Sequence, residues 1–490
     1  MNGERYAALA IFLSRFCAHL TTQWVTAVHY TFWRSLRVGV VAGTVFGFVF
    51  ACSTLPRVPP EAANDAAPIL TGARGELSPE RSKAILKAVG RQSGGSELLK
   101  KHLSIEEEIT DFPLVIGNRA TLLQDGPATY KAMYVAIRAA RDHINLETYI
   151  LADDEVGRQL AEVLIDKQVH GVQVNVIYDS VGSLATAQSF FKRMTDHGVN
   201  VVQFNPVNPL EAKRGWDVNR RDHRKLLITD GRIAFTGGIN YSSVYSGGSF
   251  ARPSRRPASA GIPWRDTQVR IEGPVVAEFQ KLFLQQWEGQ KGPPLAKRHY
   301  FPPLQEVGTQ IVRAIGTAPD ARPSLLYGTL ISAISHADYS VHLTNAYFVP
   351  DPQLVGALQD AAKRGIDVTL VLPSRTDFWA PLYAGRSHYY ELLQAGVKIY
   401  ERRAALLHAK TAVIDEVWST VGSSNLDWRS FLHNYELDAV ILGPEFGGEM
   451  EAAFDRDLAE STRIELAAWN RRSLMSRMRE MAARIWEYWL

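Results

Sequence analysis

The pattern H-x-K-x-x-x-x-D occurs twice in this chain, and each copy is followed at the same distance by two small residues and an asparagine. The copies consist of His223, Lys225, Asp230, Gly237, Gly238 and Asn240 in the first case and of His408, Lys410, Asp415, Gly422, Ser423 and Asn425 in the second. A lone H-x-K pair is usually a surface pattern, but two copies with the same internal spacing indicate a duplication. We therefore expect two similar halves that contribute to one site.

The order of predicted helices and strands also repeats. The strand sequence INLETYIL in the first half corresponds to VHLTNAYFVPD in the second, and VQVNVIYD corresponds to IDVTLVLP. Strands that alternate with helices of this length are typical of α/β proteins. We predict an α/β fold with two duplicated domains, each a mainly parallel β-sheet flanked by helices, that share one active site.

Composition and the repeat boundaries divide the chain into six segments. They are a signal or membrane anchor (1–55), a tether with a helical segment (56–110), the first domain (111–290), an interdomain crossover (291–320), the second domain (321–460) and a basic amphipathic C-terminal helix (461–490). Within the first segment, the uncharged run from 38 to 51 is short for a membrane span, which needs about 20 residues. The Ala-Cys-Ser sequence that follows predicts either a lipoprotein signal, with Cys52 lipidated, or an uncleaved anchor.

The motif residues suit phosphate chemistry. On a strand, His223 and Lys225 would project from the same face, and so would the second pair. Histidine can act as a nucleophile or as a general acid near neutral pH, and lysine supplies positive charge for phosphoryl oxygens. The small residues would let the backbone approach a phosphate, and the asparagine amides can donate to it.

Carboxylates complete the predicted site. Asp266 and Glu436 are each expected beside a histidine, where a carboxylate on the far ring nitrogen would fix the tautomer and raise the basicity. As members of the motif, Asp230 and Asp415 are grouped with the catalytic residues. They fall after the predicted strands end, so a turn-forming or lysine-orienting role is favoured for them over direct chemistry.

Charge and spacing exclude other classes of site. The chain has 54 basic and 51 acidic residues, a formal net charge of +3 that gives little general attraction to nucleic acid. The motifs lack H-x-x-x-H and C-x-x-C spacing, and a lysine beside each histidine would repel a cation. We expect no metal ion or other cofactor and no nucleic-acid partner. Two cysteines, Cys17 and Cys52, exclude a disulfide framework.

The C-terminal segment has two interpretations. Apolar residues recur there at helical spacing among several arginines, at Leu474, Met478, Met481, Ile485 and Trp489. Such a helix either lies in a membrane interface with anionic headgroups or docks on its own domain.

The duplicated motifs resemble those of the phospholipase D superfamily. The sequences RRDHRKLLITDGRIAFTGGIN and LHAKTAVIDEVWSTVGSSNLDWRSFLHNYELDAVI resemble bacterial cardiolipin synthases most closely. The resemblance implies a metal-free, two-step phosphatidyl transfer. One histidine, for which His223 is favoured, forms a phosphohistidine, and the other protonates the leaving alcohol and deprotonates the incoming one. Lys225, Lys410, Asn240 and Asn425 would stabilise the charged transition state.

The resemblance implies cardiolipin synthesis from phosphatidylglycerol, by a membrane-associated protein of the bacterial cell envelope that is either in the inner membrane or lipid-anchored in the periplasm. A phospholipase D that uses water as acceptor is the nearest alternative. A nuclease of the same superfamily is disfavoured by the low net charge. A non-catalytic, membrane-tethered lipid-binding protein is disfavoured because both histidines and both lysines are present. The oligomeric state stays open.

Overall fold

The computed structural model describes residues 55, 68–92, 98–208, 217, 219–248, 262–319 and 325–489. The predicted signal or anchor with Cys52, and most of the tether, lie outside the described residues. Within the described ranges, no helix is both long enough and apolar enough to cross a bilayer.

A hairpin and two helices precede the first half. They are β1 (Thr71–Gly72), β2 (Gly75–Glu76), α1 (Pro79–Gln92) and α2 (Leu98–Ile109). Helix α1 begins at Pro79, as the Ser-Pro-Glu sequence predicts, because proline is tolerated in a first helical turn. The hydroxyl of Ser78 accepts a hydrogen bond from the backbone N–H of Arg81 there (3.3 Å).

The elements of the first half follow the predicted order of helices and strands. They are β3 (Val115–Gln124), α3 (Asp125–Ala139), β4 (His143–Thr148), α4 (Glu155–Val169), β5 (Gln173–Asp179), α5 (Gln188–Asp196), β6 (Asn200–Phe204), β7 (Arg221–Asp222), β8 (Leu226–Thr229), β9 (Ile233–Gly237), a 3₁₀ turn (Ser243–Tyr245), β10 (Trp264–Arg265), β11 (Thr267–Glu272) and α6 (Val276–Gly289).

The second half follows a similar order. Its elements are β12 (Gln310–Thr317), α7 (Leu325–Ser335), β13 (Ser340–Asn345), α8 (Pro352–Lys363), β14 (Asp367–Pro373), α9 (Trp379–Ser387), α10 (Tyr389–Gln394), β15 (Lys398–Arg402), β16 (Leu406–Leu407), β17 (Lys410–Ile414), β18 (Trp418–Gly422), α11 (Trp428–Leu432), β19 (Asn434–Leu442) and α12 (Pro444–Ala459). Strand β12 lies inside the segment predicted as a crossover, so that segment also supplies a strand to the sheet.

The C-terminal segment is not the single helix that the sequence predicts. It consists of β20 (Ser461–Arg463), α13 (Leu466–Asn470), α14 (Leu474–Arg484) and a 3₁₀ turn (Glu487–Trp489). Ser473 ends the interruption between the two helices, because its hydroxyl accepts the backbone N–H of Ser476 as an N-cap (3.2 Å).

One continuous sheet runs through both halves. Its strand order is β6-β5-β4-β8-β9-β11-β3 in the first half and β15-β14-β13-β17-β18-β19-β12 in the second, and β3 pairs with β12 to join them. The repeat and the α/β class are confirmed. Only three strands of each half run parallel, so the sheet is mixed and the expected mainly parallel sheet is wrong. The cause is the set of tight connections after each histidine motif, since short turns join antiparallel neighbours and helices join parallel ones.

A hydrophobic core is shared between the halves. Helix α6 contributes Phe279 and Phe283 to it, and helix α12 contributes Phe446 and Met450, together with apolar residues of the central strands from both halves. Burying each of these side chains stabilises the fold by about 1.5–3 kcal/mol. This packing holds the two histidine motifs in a fixed relative position.

Candidate active site

Each motif histidine lies in a break between two strands. His223 follows β7 and precedes β8, and His408 lies between β16 and β17. A continuous strand through each motif, as predicted, is therefore wrong. The strands are interrupted at these positions because β7 pairs with the start of β19, which belongs to the other half. In the same way, β16 pairs with β10 of the first half. The backbone N–H of His223 donates to the carbonyl of Tyr435 (2.9 Å), and that of His408 donates to the carbonyl of Arg265 (2.7 Å).

The two carboxylates are exchanged between the halves. The Nδ1 of His223 lies 3.0 and 2.9 Å from the two carboxylate oxygens of Glu436, which belongs to the second half. The Nδ1 of His408 lies 2.7 Å from Oδ2 of Asp266, which belongs to the first half. A carboxylate on Nδ1 holds the proton there and leaves Nε2 as the basic, nucleophilic nitrogen. Each histidine thus depends on the opposite half for its orientation.

Further hydrogen bonds fix Glu436 in place. The hydroxyl of Ser423 donates to its Oε2 (2.5 Å), and the side-chain amide of Asn434 donates to its Oε1 (3.1 Å). Ser423 was predicted to bind the substrate, but its hydroxyl is directed at the carboxylate. Its role is to orient Glu436, which in turn orients His223.

The glycines of the motif make room for carboxylates. A Cβ atom on Gly238 would overlap the carboxylate of Asp266, and one on Gly422 would overlap that of Asp438. Gly237 has a φ of 151° and lies against the carbonyl of Thr267, a conformation that favours glycine. These glycines therefore approach carboxyl groups and the neighbouring strand closely, and their contact with a phosphate stays a prediction.

Both motif lysines are buried in the site. The Nζ of Lys225 donates to the carbonyl of His223 (2.5 Å), and the Nζ of Lys410 donates to the carbonyl of His408. Burial lowers the pKa of Lys225 to about 7, against the opposing effect of Glu436 and with a further decrease caused by Lys410. Burial also lowers the pKa of Lys410. Two ammonium groups this close favour binding of an anion.

The two histidines differ in their electrostatic environment. Burial lowers the pKa of His223 well below its usual value, and the charges of Lys225 and Lys410 lower it further. Burial and Lys410 also lower the pKa of His408, but Asp266 opposes this effect. Burial raises the pKa of Glu436 to about 7, against the effect of Lys225. His223 is therefore held neutral more strongly than His408.

The two asparagines are not equivalent. The Oδ1 of Asn240 accepts the backbone N–H of Ile150 (3.0 Å), and its amide donates to the hydroxyl of Tyr245 (3.0 Å). In the described part of the chain, Oδ1 of Asn425 has no hydrogen-bond partner. Both ends of the Asn240 amide are thus bonded within the protein, whereas the buried Oδ1 of Asn425 is not bonded to any described residue.

Aromatic residues that were not predicted surround the histidines. The ring of Tyr149 lies 5.1 Å from that of His223, and Nζ of Lys225 lies 5.3 Å from the Tyr149 ring centroid. The rings of Tyr245 and Trp264 lie 5.8 and 5.1 Å from that of His408. Tyr149 could have been found, because it matches Tyr347 in the internal repeat. Tyr245 and Trp264 lie at positions that showed no match in the internal repeat.

The motif aspartates lie away from the chemistry. The carboxylate of Asp230 accepts the backbone N–H groups of residues 141–143 (2.8–3.1 Å), and that of Asp415 accepts those of residues 338–340 (2.8–2.9 Å). Both residues have a φ of 52°. They stabilise the turns before β4 and β13, which corrects their grouping with the catalytic residues.

A family profile described as "Cardiolipin synthase, PLD-like domain" matches residues 133–245 and 330–458, one segment in each half. The cardiolipin synthase of Alkalihalophilus pseudofirmus is 32% identical over 83% of this chain and 80% of its own length. That of Geobacillus sp. strain WCH70 is 33% identical over 78% of this chain and 74% of its own length.

The crystal structure of a phosphatidylserine synthase from Haemophilus influenzae Rd KW20 has the same fold. It superposes with a TM-score of 0.56 at 13% sequence identity and covers 79% of this chain and 98% of its own. Together with the duplicated motifs and the exchanged histidine–carboxylate pairs, these matches show that the chain belongs to the cardiolipin synthase family with phospholipase D-like domains.

Proposed function

We propose that this protein makes cardiolipin by transferring the phosphatidyl group of one phosphatidylglycerol to a headgroup hydroxyl of a second, with release of glycerol. The observation that carries the proposal is the pair of histidines, each oriented by a carboxylate of the opposite half and accompanied by a buried lysine. Such a site supplies a nucleophile, a general acid–base group and positive charge for a phosphodiester. The family relatives described above bear the name of this activity.

In the first step, Nε2 of His223 attacks the phosphorus and forms a P–N bond. The bond from phosphorus to the glycerol oxygen breaks, and Nε2–H of His408 donates a proton to that oxygen, so that glycerol leaves. The stronger depression of the His223 pKa supports its role as the nucleophile, which must be unprotonated. Asp266 favours the protonated form of His408, which suits a general acid.

In the second step, Nε2 of His408 takes the proton from a hydroxyl of the second phosphatidylglycerol. The resulting oxygen nucleophile attacks phosphorus, the P–N bond breaks, and its electron pair returns to His223. Cardiolipin is released and both histidines regain their starting protonation states. The same residue thus acts as acid and then as base, as two opposite displacements at one phosphorus require.

Positive and polar groups would stabilise the negative charge on the phosphoryl oxygens in both steps. Lys225 and Lys410 are buried beside the histidines, and the side-chain amide nitrogen of Asn425 can donate to a phosphoryl oxygen. In a buried site, one oriented donor to a transition-state oxygen contributes about 10²–10³-fold in rate. We assign these three residues to the phosphoryl group and Asn240 to positioning of Tyr245.

The substrate is a lipid, so we further propose that the protein works at a membrane of the bacterial cell envelope. The sequence of residues 1–55, with its apolar run and Cys52, supports attachment either by an anchor or by lipidation.

Expression of the full chain in bacteria that lack cardiolipin, followed by lipid extraction and mass spectrometry, tests the activity. New cardiolipin that disappears in His223→Ala and in His408→Ala is the expected result. Phosphatidic acid without cardiolipin would show that water is the acceptor. Unchanged lipids, with the protein present in the membrane fraction, would contradict an enzymatic role on these lipids.

A further inference from the structure

Helix α14 has an apolar face that is turned away from the protein. Six side chains of this helix and the residues that follow it have exposed fractions between 54% and 77%. They are Leu474, Met475, Met478, Met481, Ile485 and Trp486. With about 100° between successive residues of a helix, positions 474, 478, 481 and 485 form one stripe. Isolated exposed apolar residues are common, but a continuous stripe of this kind marks an interaction surface.

The opposite face attaches α14 to the body of the protein. Ala483 packs with Ala384 of α9 and with Val349, and Glu480 is also buried. Arg479 donates to the hydroxyl of Tyr383 on α9 (3.4 Å). The C-terminal segment therefore docks on its own domain. It uses the face opposite to the apolar stripe, and no residue in the described ranges covers the stripe.

The charges beside the stripe are positive. Arg477 and Arg484 lie next to it on one side of the helix, and both are exposed. The two glutamates of this segment have partners within the protein: Glu480 pairs with Arg472 (2.8 Å), and Glu487 contacts His388 and lies 3.6 Å from Arg484. An apolar stripe beside arginines is complementary to an apolar layer covered by anionic groups.

This surface continues toward the active site. Helix α9, on which α14 packs, begins at Trp379, and both Phe378 and Trp379 are exposed, at 49% and 58%. The preceding residue, Asp377, bonds to the hydroxyl of Tyr347, and its charge acts on Lys410. Phe378 and Trp379 therefore follow directly on a residue whose charge acts on the buried Lys410 of the active site.

We propose that the exposed face of α14, together with Phe378 and Trp379, inserts into the interface of an anionic phospholipid bilayer and holds the entrance of the active site against the lipid. This docking surface rests on the proposed function, because the bilayer that it contacts contains the substrate. It acts in addition to any attachment through residues 1–55. A second copy of the chain is the competing occupant, and the test below separates the two.

Methionine oxidation reports directly on this surface, because Met475, Met478 and Met481 are exposed. The full chain is reconstituted in phosphatidylcholine vesicles with and without phosphatidylglycerol, treated with hydroxyl radicals and analysed by mass spectrometry. We expect several-fold slower oxidation of these methionines when phosphatidylglycerol is present, at any protein-to-lipid ratio. Protection that follows the protein-to-lipid ratio and ignores lipid charge would overturn the proposal in favour of self-association. Equal oxidation in all samples would overturn it as well.

A variant separates docking from catalysis. The triple substitution Met478→Gln, Met481→Gln and Ile485→Gln is compared with Val135→Gln plus Val169→Gln, two exposed apolar residues on α3 and α4. With phosphatidylglycerol vesicles as substrate, we expect about tenfold lower activity for the triple variant and no change for the control. With a short-chain phosphatidylglycerol below its micelle concentration, both variants should match the unmodified chain. Equal activity on vesicles would contradict the docking surface, whereas inactivity of the unmodified chain on both substrates would contradict the proposed function instead.

Discussion

The carboxylate of Glu436 bonds to Nδ1 of His223 at 2.9 Å, although the two residues belong to different halves of the duplicated fold. The reciprocal pair, Asp266 with His408, has the same geometry at 2.7 Å. Neither half alone contains a histidine with its orienting carboxylate. The duplication therefore yields one site that requires both halves.

Removal of the negative charge from either carboxylate should lower the rate without unfolding the protein. We expect Glu436→Gln and Asp266→Asn to lower kcat on the order of 10²- to 10⁴-fold, because an amide no longer favours the reactive tautomer and the imidazolium of its histidine. Steady-state rates with phosphatidylglycerol, together with circular dichroism, test this. Near-normal kcat in both variants would show that the exchanged pairs do not orient the histidines.

The small residues of the two motifs should respond differently to substitution. A Cβ on Gly238 would displace Asp266 from His408, so Gly238→Ser should cost nearly as much activity as Asp266→Asn. Ser423→Ala removes one of several hydrogen bonds to Glu436 and should cost only about tenfold. Parallel kinetics of the two variants measure this difference. A harmless Gly238→Ser, with serine taking over a substrate contact, would restore the interpretation in which both positions bind phosphate.

Activity should decrease above neutral pH. Burial lowers the pKa of Lys225 from 10.5 to about 7, and a lysine is charged only below its pKa. In the free enzyme, the charge needed for phosphate binding is therefore lost as the pH rises through about 7, and kcat/KM should fall there. The negative charge of a bound phosphodiester raises the pKa of Lys225 again. We therefore expect kcat to fall at a higher pH than kcat/KM. Lys225→Arg should remove the part of this decrease that is due to Lys225, because arginine stays charged. A kcat/KM that stays constant up to pH 9 in the unmodified enzyme would contradict the depressed lysine pKa.

The motif aspartates should matter for stability more than for the chemical step. Asp415 accepts three backbone N–H groups at a φ of 52°, so Asp415→Ala should destabilise the fold by roughly 2–4 kcal/mol. Asp415→Asn should cost less, since asparagine tolerates this conformation. Chemical denaturation measures both, with the exposed Asp360→Ala as the control. Loss of kcat in Asp415→Asn with unchanged stability would return this residue to the catalytic group.

Much of this structure follows from sequence patterns that are local and repeated. The order of elements, the duplication and the residues of both motifs could be predicted, because each depends on periodicity or spacing within a short segment. The mixed sheet was missed although the turn after Thr229 carries an Asp-Gly pair, which favours a hairpin; the matching turn after Ile414 has Asp-Glu instead and gives a weaker signal. The exchange of carboxylates was also beyond prediction. It depends on two-residue parallel ladders between distant strands, at Asp222 with Tyr435 and at Arg265 with Leu407.

The hydrogen-bond partner of Ser423 also could not be predicted from the sequence. Its position in a repeated glycine–serine motif favours a phosphate contact, and only the three-dimensional placement of Glu436 shows where its hydroxyl points. The differences between Asn240 and Asn425 likewise come from neighbours that the repeat does not contain, chiefly Tyr245.

Trapping the covalent intermediate decides which histidine is the nucleophile in this shared site. The full chain is mixed with short-chain phosphatidylglycerol, quenched within milliseconds in alkali, and digested for mass spectrometry, with His223→Ala and His408→Ala treated in parallel. A p-nitrophenyl phosphodiester, whose leaving group needs no proton, serves as the second substrate. With His223 as the nucleophile, we expect a phosphatidyl adduct on His223 in the unmodified chain, and also in His408→Ala with the activated substrate. An adduct on His408, or cardiolipin formation without any histidine adduct, would contradict this assignment.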